Sequence, residues 1–352
     1  QSLIMNRELF LINKLDIGRG RWLMAVALGG MMILGVNFGV KEAPRPPLSS
    51  PPASSEPAGD NLKGIYLTSL SISNRKPADI ISEMKEQGFN AVVINVKNAD
   101  GVITYRSEVE LASKIGAVRA RLNLDELLDQ FQRAGIYTIA RQVIFKDPLM
   151  AKHLGLTGKW TTPDHQKVVR YNLELASEVS QRGFDEIQFD YVRFPDDGKI
   201  GADYSRRSEL ITNFVEQARA ELSSDLPFSI DVYGRTLWKW NSKNNDPTGQ
   251  NLEQLQDHVD YISPMIYPSH YTSPKLRDDP GYCVGEALRA GSERLSAKLR
   301  PYIQGFHRHV PSHLTTASYI AEQIKAVDEA KVNGFLVWNP KSNYDALWKA
   351  AG

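Results

Sequence analysis

Between residues 64 and 352 the chain alternates short apolar runs with longer stretches whose apolar residues recur at helical spacing, and it does so eight times. The runs suited to strands are 64–68, 91–97, 136–141 (continuing through 143–145), one inside 186–195, 228–233, 261–267, 301–306 and 334–338. They are near-continuously apolar, as expected of parallel strands covered by helices outside and filled by side chains inside. The spacing predicts helices over 78–87, 124–134, 166–182, a stretch carrying Leu210, Phe214, Ala218 and Leu222, a short one near 252–257, 284–298, a stretch with Ile320, Ile324 and Val327, and 344–351. Gly88, Gly135 and Gly183 follow three of them, where a left-handed cap favours glycine. Eight such units predict a closed (β/α)₈ TIM barrel, an α/β fold whose chemistry sits at the carboxyl ends of its strands. A doubly wound open sheet would usually carry a Gly-rich phosphate turn after the first strand, and Thr68-Ser69-Leu70-Ser71 is not one.

The amino-terminal region breaks this rhythm. Residues 22–40 are apolar and uncharged, about the length a helix needs to cross a bilayer, with no polar face at any helical period. Arg7, Lys14, Arg19 and Arg21 precede the stretch against Glu8 and Asp16, so the leading side is expected in the cytoplasm and the remainder outside. A cleavable signal peptide competes with this reading. The length of the run and the lack of an Ala-x-Ala site after it favour an uncleaved anchor, and no cysteine follows that a lipid would need. Proline and serine dominate 41–62, which reads as an extended linker without a core. The expected organisation is a cytoplasmic tail (1–21), a transmembrane helix serving as signal anchor (22–40), a disordered linker (41–62) and the barrel (63–352). That places the barrel on the periplasmic or extracellular side of a cytoplasmic membrane.

Composition narrows the picture further. A hydrophobic fraction of 42% over 352 residues supplies a full core, and a net charge of +1 argues against a nucleic-acid surface. The single cysteine, Cys283, excludes an internal disulfide and a cysteine zinc cage, and its place at a helix start reads as packing. His307, His309 and His313 supply at most two ligands from one strand end, and no His-Glu-x-x-His pattern occurs. They read as polar loop residues, so neither a metal nor a cofactor is expected.

The polar residues that end the apolar runs form the candidate site. They are Lys97, Asn98 and Asp100 after the second run, Arg141, Lys146 and Asp147 after the third, and Asp190 and Arg193 from the fourth. Asp231 and Tyr233 come from the fifth, Tyr267 and His270 from the sixth, Gln304 and His307 from the seventh, and Asn339 from the eighth. Trp238, Trp240, Tyr267, Tyr271 and Trp338 cluster in the same loops, and flat aromatic faces beside acids and amides suit sugar rings. Asp190 and Asp231 lie near the ends of neighbouring strands, which places their carboxyl groups roughly 5–9 Å apart across an open, sugar-sized mouth. Glycoside hydrolysis needs one carboxylate to attack or stabilise the anomeric carbon and one protonated acid to release the leaving oxygen. The competing structural role is ion pairing with Arg193, Arg141 or Lys97. Asp185, Glu186, Asp196 and Asp197 read as solvated loop residues or caps.

The segment Gly183-Phe184-Asp185-Glu186-Ile187-Gln188-Phe189-Asp190-Tyr191-Val192-Arg193-Phe194-Pro195 resembles the signature of the bacterial "putative glycosyl hydrolase" barrel domain. Segments 64–68, 89–97, 261–271 and 337–340 are similar to the same family, so the resemblance covers residue 63 to the end. It implies an α-amylase-like barrel in which Asp190 takes the nucleophile position. Gln188, counted among the substrate-binding residues, stands where an arginine is usual in amylases. Asp231 replaces their fifth-strand glutamate, and Gly305 stands where family members often carry an acid. The function expected is a membrane-tethered glycoside hydrolase acting on a cell-envelope or extracellular bacterial polysaccharide. The alternatives are a non-catalytic glycan-binding barrel and a metal-assisted polysaccharide deacetylase.

Overall fold

A computed structural model describes residues 60–196, 203–241 and 246–352. Eight parallel strands form its centre: β1 (Leu62–Leu67), β2 (Ala91–Lys97), β3 (Tyr137–Val143), β4 (Glu186–Asp190), β5 (Phe228–Tyr233), β6 (Tyr261–Ile266), β7 (Tyr302–Gln304) and β8 (Gly334–Trp338). Each strand pairs with its neighbours in chain order, and β1 pairs with both β2 and β8, which closes the ring. The strands are followed in turn by α1 (Pro77–Glu86), α2 (Leu124–Arg133), α3 (Gln166–Ser180), α4 (Tyr204–Glu221), α5 (Leu252–Leu255), α6 (Pro280–Ser292), α7 (Thr316–Ala330) and α8 (Asp345–Ala351), with further short helices such as Ser69–Ser73 and Pro148–His153 in the loops. The expected (β/α)₈ barrel is present.

Helix α2 shows why the pattern folds this way. Leu124, Leu127, Leu128 and Phe131 fall on one buried stripe, while Asp125 and Glu126 at its start and Arg133 at its end complement the helix dipole. Two apolar layers result. The outer one lies between strands and helices and holds Val92, Ile94, Ile187, Phe189 and Phe214. The inner one fills the barrel with Leu62, Tyr66, Val93, Ile139, Tyr267, Tyr302 and Leu336.

The structure corrects three expectations. Between the second apolar run and the helix expected at 124–134 the sequence pattern predicts only a long loop, 98–123, whereas Ile103–Tyr105 pairs antiparallel with β2 and Val118–Leu122 pairs with Ile103–Tyr105. Helix α6 stops at Ser292, short of 298, because Lys298–Leu299 pairs with β6. The barrel also begins within the expected linker. Asp60 pairs with Lys298 at 2.9 Å and accepts a hydrogen bond from the Tyr261 hydroxyl at 2.9 Å, and Leu62 opens β1. The expected tail and anchor lie outside the described residues. Among the described residues no helix is long and apolar enough to cross a membrane.

Candidate active site

Alternation along β4 builds the site. Ile187 and Phe189 pack outward against helices. Glu186, Gln188 and Asp190 point the other way and form a polar column inside the barrel. At its base Glu186 is fully buried, not a solvated loop residue. It pairs with the equally buried Arg300 and accepts from Ser229 Oγ at 2.5 Å. One level up, the Gln188 amide donates to Ser229 Oγ at 3.2 Å and Ser263 Oγ at 3.3 Å and accepts from the Tyr302 hydroxyl at 2.7 Å. This column satisfies polar groups that would otherwise be costly to bury.

Asp190 tops the column. Its Oδ2 accepts from Arg141 Nε at 3.0 Å and pairs with Nη2 of the same guanidinium, while Oδ1 accepts the backbone N–H of Tyr191 at 2.5 Å. Tyr191 has a φ of 53°, a left-handed conformation that costs a tyrosine free energy. Arg141 Nη1 donates to Asn95 Oδ1 at 2.7 Å. Its guanidinium carbon lies 5.4 Å from the Tyr66 ring and 5.1 Å from the Trp338 ring, and these rings stack on each other at 3.9 Å. Burial disfavours the Arg141 charge, but Asp190 beside it more than restores the balance and holds the guanidinium protonated.

Phe189 pairs with Ile230, so the next residues along, Asp190 and Asp231, stand side by side at the ends of β4 and β5. Asp231 Oδ2 lies 3.8 Å from the same Arg141 Nε. Both carboxylates therefore reach one nitrogen, and their oxygens are no further apart than the sum of the two distances. Oδ1 of Asp231 is buried with no hydrogen-bond partner among the described residues. Burial, followed by the charge of Asp190, pushes the Asp231 carboxyl well above the ordinary carboxylate range, against the pull of Arg141. Asp231 thus keeps its proton where ordinary carboxyls have released theirs. Tyr267 lies just beyond β6 and belongs to the inner layer. Burial and then the charges of Asp231 and Asp190 push its phenol well above its usual value.

The two acids converge as expected, but the open mouth is not there. Asp190 is 4% and Asp231 1% exposed, enclosed among Tyr66, Tyr267 and Tyr302, which are buried, and Trp338, which is half-buried. A concavity of about 520 Å³ lies outside the barrel, against α6 and α7, lined by Asp278, Gly285, Glu322 and Lys325. It is remote from these carboxyls.

Of the residues expected at the site, Arg141, Gln188, Asp190, Asp231, Tyr267 and Trp338 come together. Lys97 does not: a register irregularity after Asn95 brings it opposite Gln142, where it pairs with Asp147 at 2.7 Å and donates to Asn172 at 3.0 Å, toward α3. Asn98 accepts backbone N–H groups of Asp100 and Val102 and shapes a turn. Gln304 accepts from Ser269 N and donates to the carbonyls of Phe306 and Arg308, which ties two loops together. Asn339 donates to the Gly305 carbonyl at 2.7 Å. Trp238 donates to the Tyr271 hydroxyl at 3.2 Å, His270 meets Tyr267 edge-on, and His307 is exposed with Nδ1 2.9 Å from Thr316 Oγ1. Burial pushes the Cys283 thiol up to about 12, as suits a packing residue. Among the described residues no group of three or more His, Cys, Asp or Glu is placed to hold a metal ion.

A second cluster adjoins the first. Arg193 lies 4.7 Å from the Trp160 ring, 5.1 Å from Tyr191 and 4.5 Å from Tyr233, and Lys146 lies 5.0 Å from Tyr191. Arg193 and Arg235 both pair with Asp196. Tyr66, Asn95, Tyr191 and Tyr302 were not among the expected site residues. Counting inward positions back along each strand, in addition to the polar residues beyond its end, finds Tyr66, Asn95 and Tyr302.

A sequence model of a family described as "Putative glycosyl hydrolase domain" matches residues 64–344. No curated protein matches the chain. Among solved structures, the PgaB (BpsB) glycoside hydrolase domain from Bordetella bronchiseptica is similar at a TM-score of 0.61 and 14% identity, covering 83% of this chain and 99% of that one. An endo-1,4-beta-mannanase from Rhizomucor miehei gives 0.59 at 12% identity over 85% and 94% of the two chains. The Bacillus cereus spore cortex-lytic enzyme SleL gives 0.52 at 11% identity over 84% and 74%. At these identities the likeness is one of fold.

Proposed function

We propose, from the premise that this chain belongs to the family described as "putative glycosyl hydrolase domain", that it cleaves glycosidic bonds with Asp231 as proton donor and Asp190 as the charge facing the anomeric carbon. The observation that carries the reading is the pair itself. One carboxyl is held in an ion pair, and its neighbour is buried, pushed by that burial toward its protonated form and left with an unpartnered oxygen. Environments that push two adjacent acids apart in this way suit the division of labour glycoside hydrolysis requires. As the bond from the anomeric carbon to the leaving oxygen breaks, the Asp231 proton passes to that oxygen. Asp190 stabilises or captures the cationic carbon, and water completes the hydrolysis. Since both acids are enclosed, a glycan reaches them on this reading only when the surrounding aromatic side chains part. Asp190→Asn is expected to fold, by circular dichroism, and to release no new reducing ends from cell-wall or capsule glycans; turnover equal to wild type would remove this mechanism.

One observation favours a second reading, a non-catalytic glycan-binding barrel. The Arg141 pair is nearly closed to solvent and serves as a structural tie as it stands. Glycan binding that survives Asp190→Asn, with no product from any glycan, would select it. The proposed substrate is a bacterial cell-envelope or extracellular polysaccharide. The proposed location is outside a cytoplasmic membrane, supported by the uncharged run 22–40 and the basic residues before it. In intact spheroplasts, external protease is then expected to degrade the barrel; complete protection would contradict this location.

A further inference from the structure

The two acids are alike in type and adjacent in register, yet only one is paired closely. What separates them is where Arg141 sits: its Nε is 3.0 Å from Asp190 Oδ2 and 3.8 Å from Asp231 Oδ2. A guanidinium on a long side chain has no intrinsic reason to stop there. Three contacts fix it: Asn95 Oδ1 accepts from Nη1 at 2.7 Å, and the stacked rings of Tyr66 and Trp338 lie 5.4 and 5.1 Å from its central carbon. The rings come from β1 and β8, strands that carry neither acid, and Tyr66 and Trp338 are packed on each other at 3.9 Å. Such a stacked surface attracts the cation through the faces of its rings.

We propose that Tyr66 and Trp338 are positioning residues, an aromatic buttress that holds Arg141 against Asp190 rather than midway between Asp190 and Asp231. The proposal rests on the hydrolase reading for its purpose, since it supplies what keeps the donor and the charge distinct. Its test does not require turnover. The groups facing Asp231 are Asp190 from β4, Arg141 from β3, Tyr267 just beyond β6, Tyr302 from β7 and, deeper in the barrel, Glu186 and Arg300. The buttress substitutions leave all of them in place.

The experiment is a pH titration of the full-length protein labelled with ¹³C at the aspartate carboxyl carbons, followed by NMR, with Asp231→Asn assigning the resonance. In wild type the Asp231 signal is expected to titrate above the ordinary carboxylate range. In Trp338→Leu, Arg141 relaxes toward the midpoint, and the Asp231 titration is expected to move down the pH scale. Trp338→Phe and Tyr66→Phe retain a face and are expected to stay near wild type, whereas leucine supplies apolar bulk without one. Tyr66→Leu removes the other ring and is expected to reproduce the downward shift, so the test stands if Trp338→Leu does not fold. Titration of Asp231 unchanged in a folded leucine variant would overturn the buttress. It would leave the hydrolase reading intact, which fails separately if no glycan is cleaved.

Discussion

Replacing Arg141 by methionine is expected to lower the stability of the barrel by about 3–5 kcal/mol at neutral pH, the range found when one partner of a buried ion pair is removed. The substitution leaves Asp190 and Asp231 facing each other with no cation between them, at 4% and 1% exposure. Like charges that close favour keeping a proton, so the folded state of the variant binds protons that the unfolded chain has already released above about pH 3.9. Stability of the variant therefore falls as pH rises from that value through the raised folded titration, and the deficit against wild type is smallest in acid and largest at neutral pH. Thermal unfolding of both proteins at mildly acidic and neutral pH checks this; a deficit independent of pH would mean that Arg141 acts through packing rather than charge.

Asp231→Asn is expected to reduce glycan turnover by about 10²–10⁴-fold, the usual contribution of a positioned acid or base. It is not expected to weaken the fold at neutral pH. The raised Asp231 carboxyl holds a proton in the folded state that the unfolded chain gives up, so in wild type it makes stability decline as pH rises through its folded titration. Asparagine is neutral throughout and lacks that decline. Unfolding temperature in the variant should equal or exceed that of wild type, with the difference growing as pH rises from the ordinary carboxylate range through the folded titration and constant above it. A variant that is both inactive and markedly less stable would point to a structural rather than catalytic role.

How far the sequence revealed this arrangement depends on which physical rule governs each residue. The barrel comes from period alone, because eight apolar runs separated by amphipathic helices leave few ways to bury their faces. Asp190 and Asp231 stand out because an acid ending a buried strand calls for a reason, and both lie in the barrel interior. Lys97 could not be placed the same way. Strict alternation would turn it inward after Val93 and Asn95, and only the irregularity at Val96 sends it toward Asp147 and α3. Glu186 reads as a loop residue until its partner is known, and Arg300 is more than a hundred residues away in the chain. Gln304 and Asn339 are inconspicuous amides whose hydrogen bonds hold loops, and a sequence does not distinguish that role from ligand binding. The buttress is hidden for a related reason. Tyr66 and Trp338 look like ordinary strand aromatics until ring closure sets β1 beside β8.

The proposed mechanism turns on the protonation of a single side chain, and infrared difference spectroscopy between wild type and Asp231→Asn at neutral pH reads it directly. A carboxylic-acid carbonyl band present in wild type and missing from the variant is the predicted result. A difference spectrum showing only the loss of an ionised carboxylate would contradict it, because Asp231 would then have no proton to give.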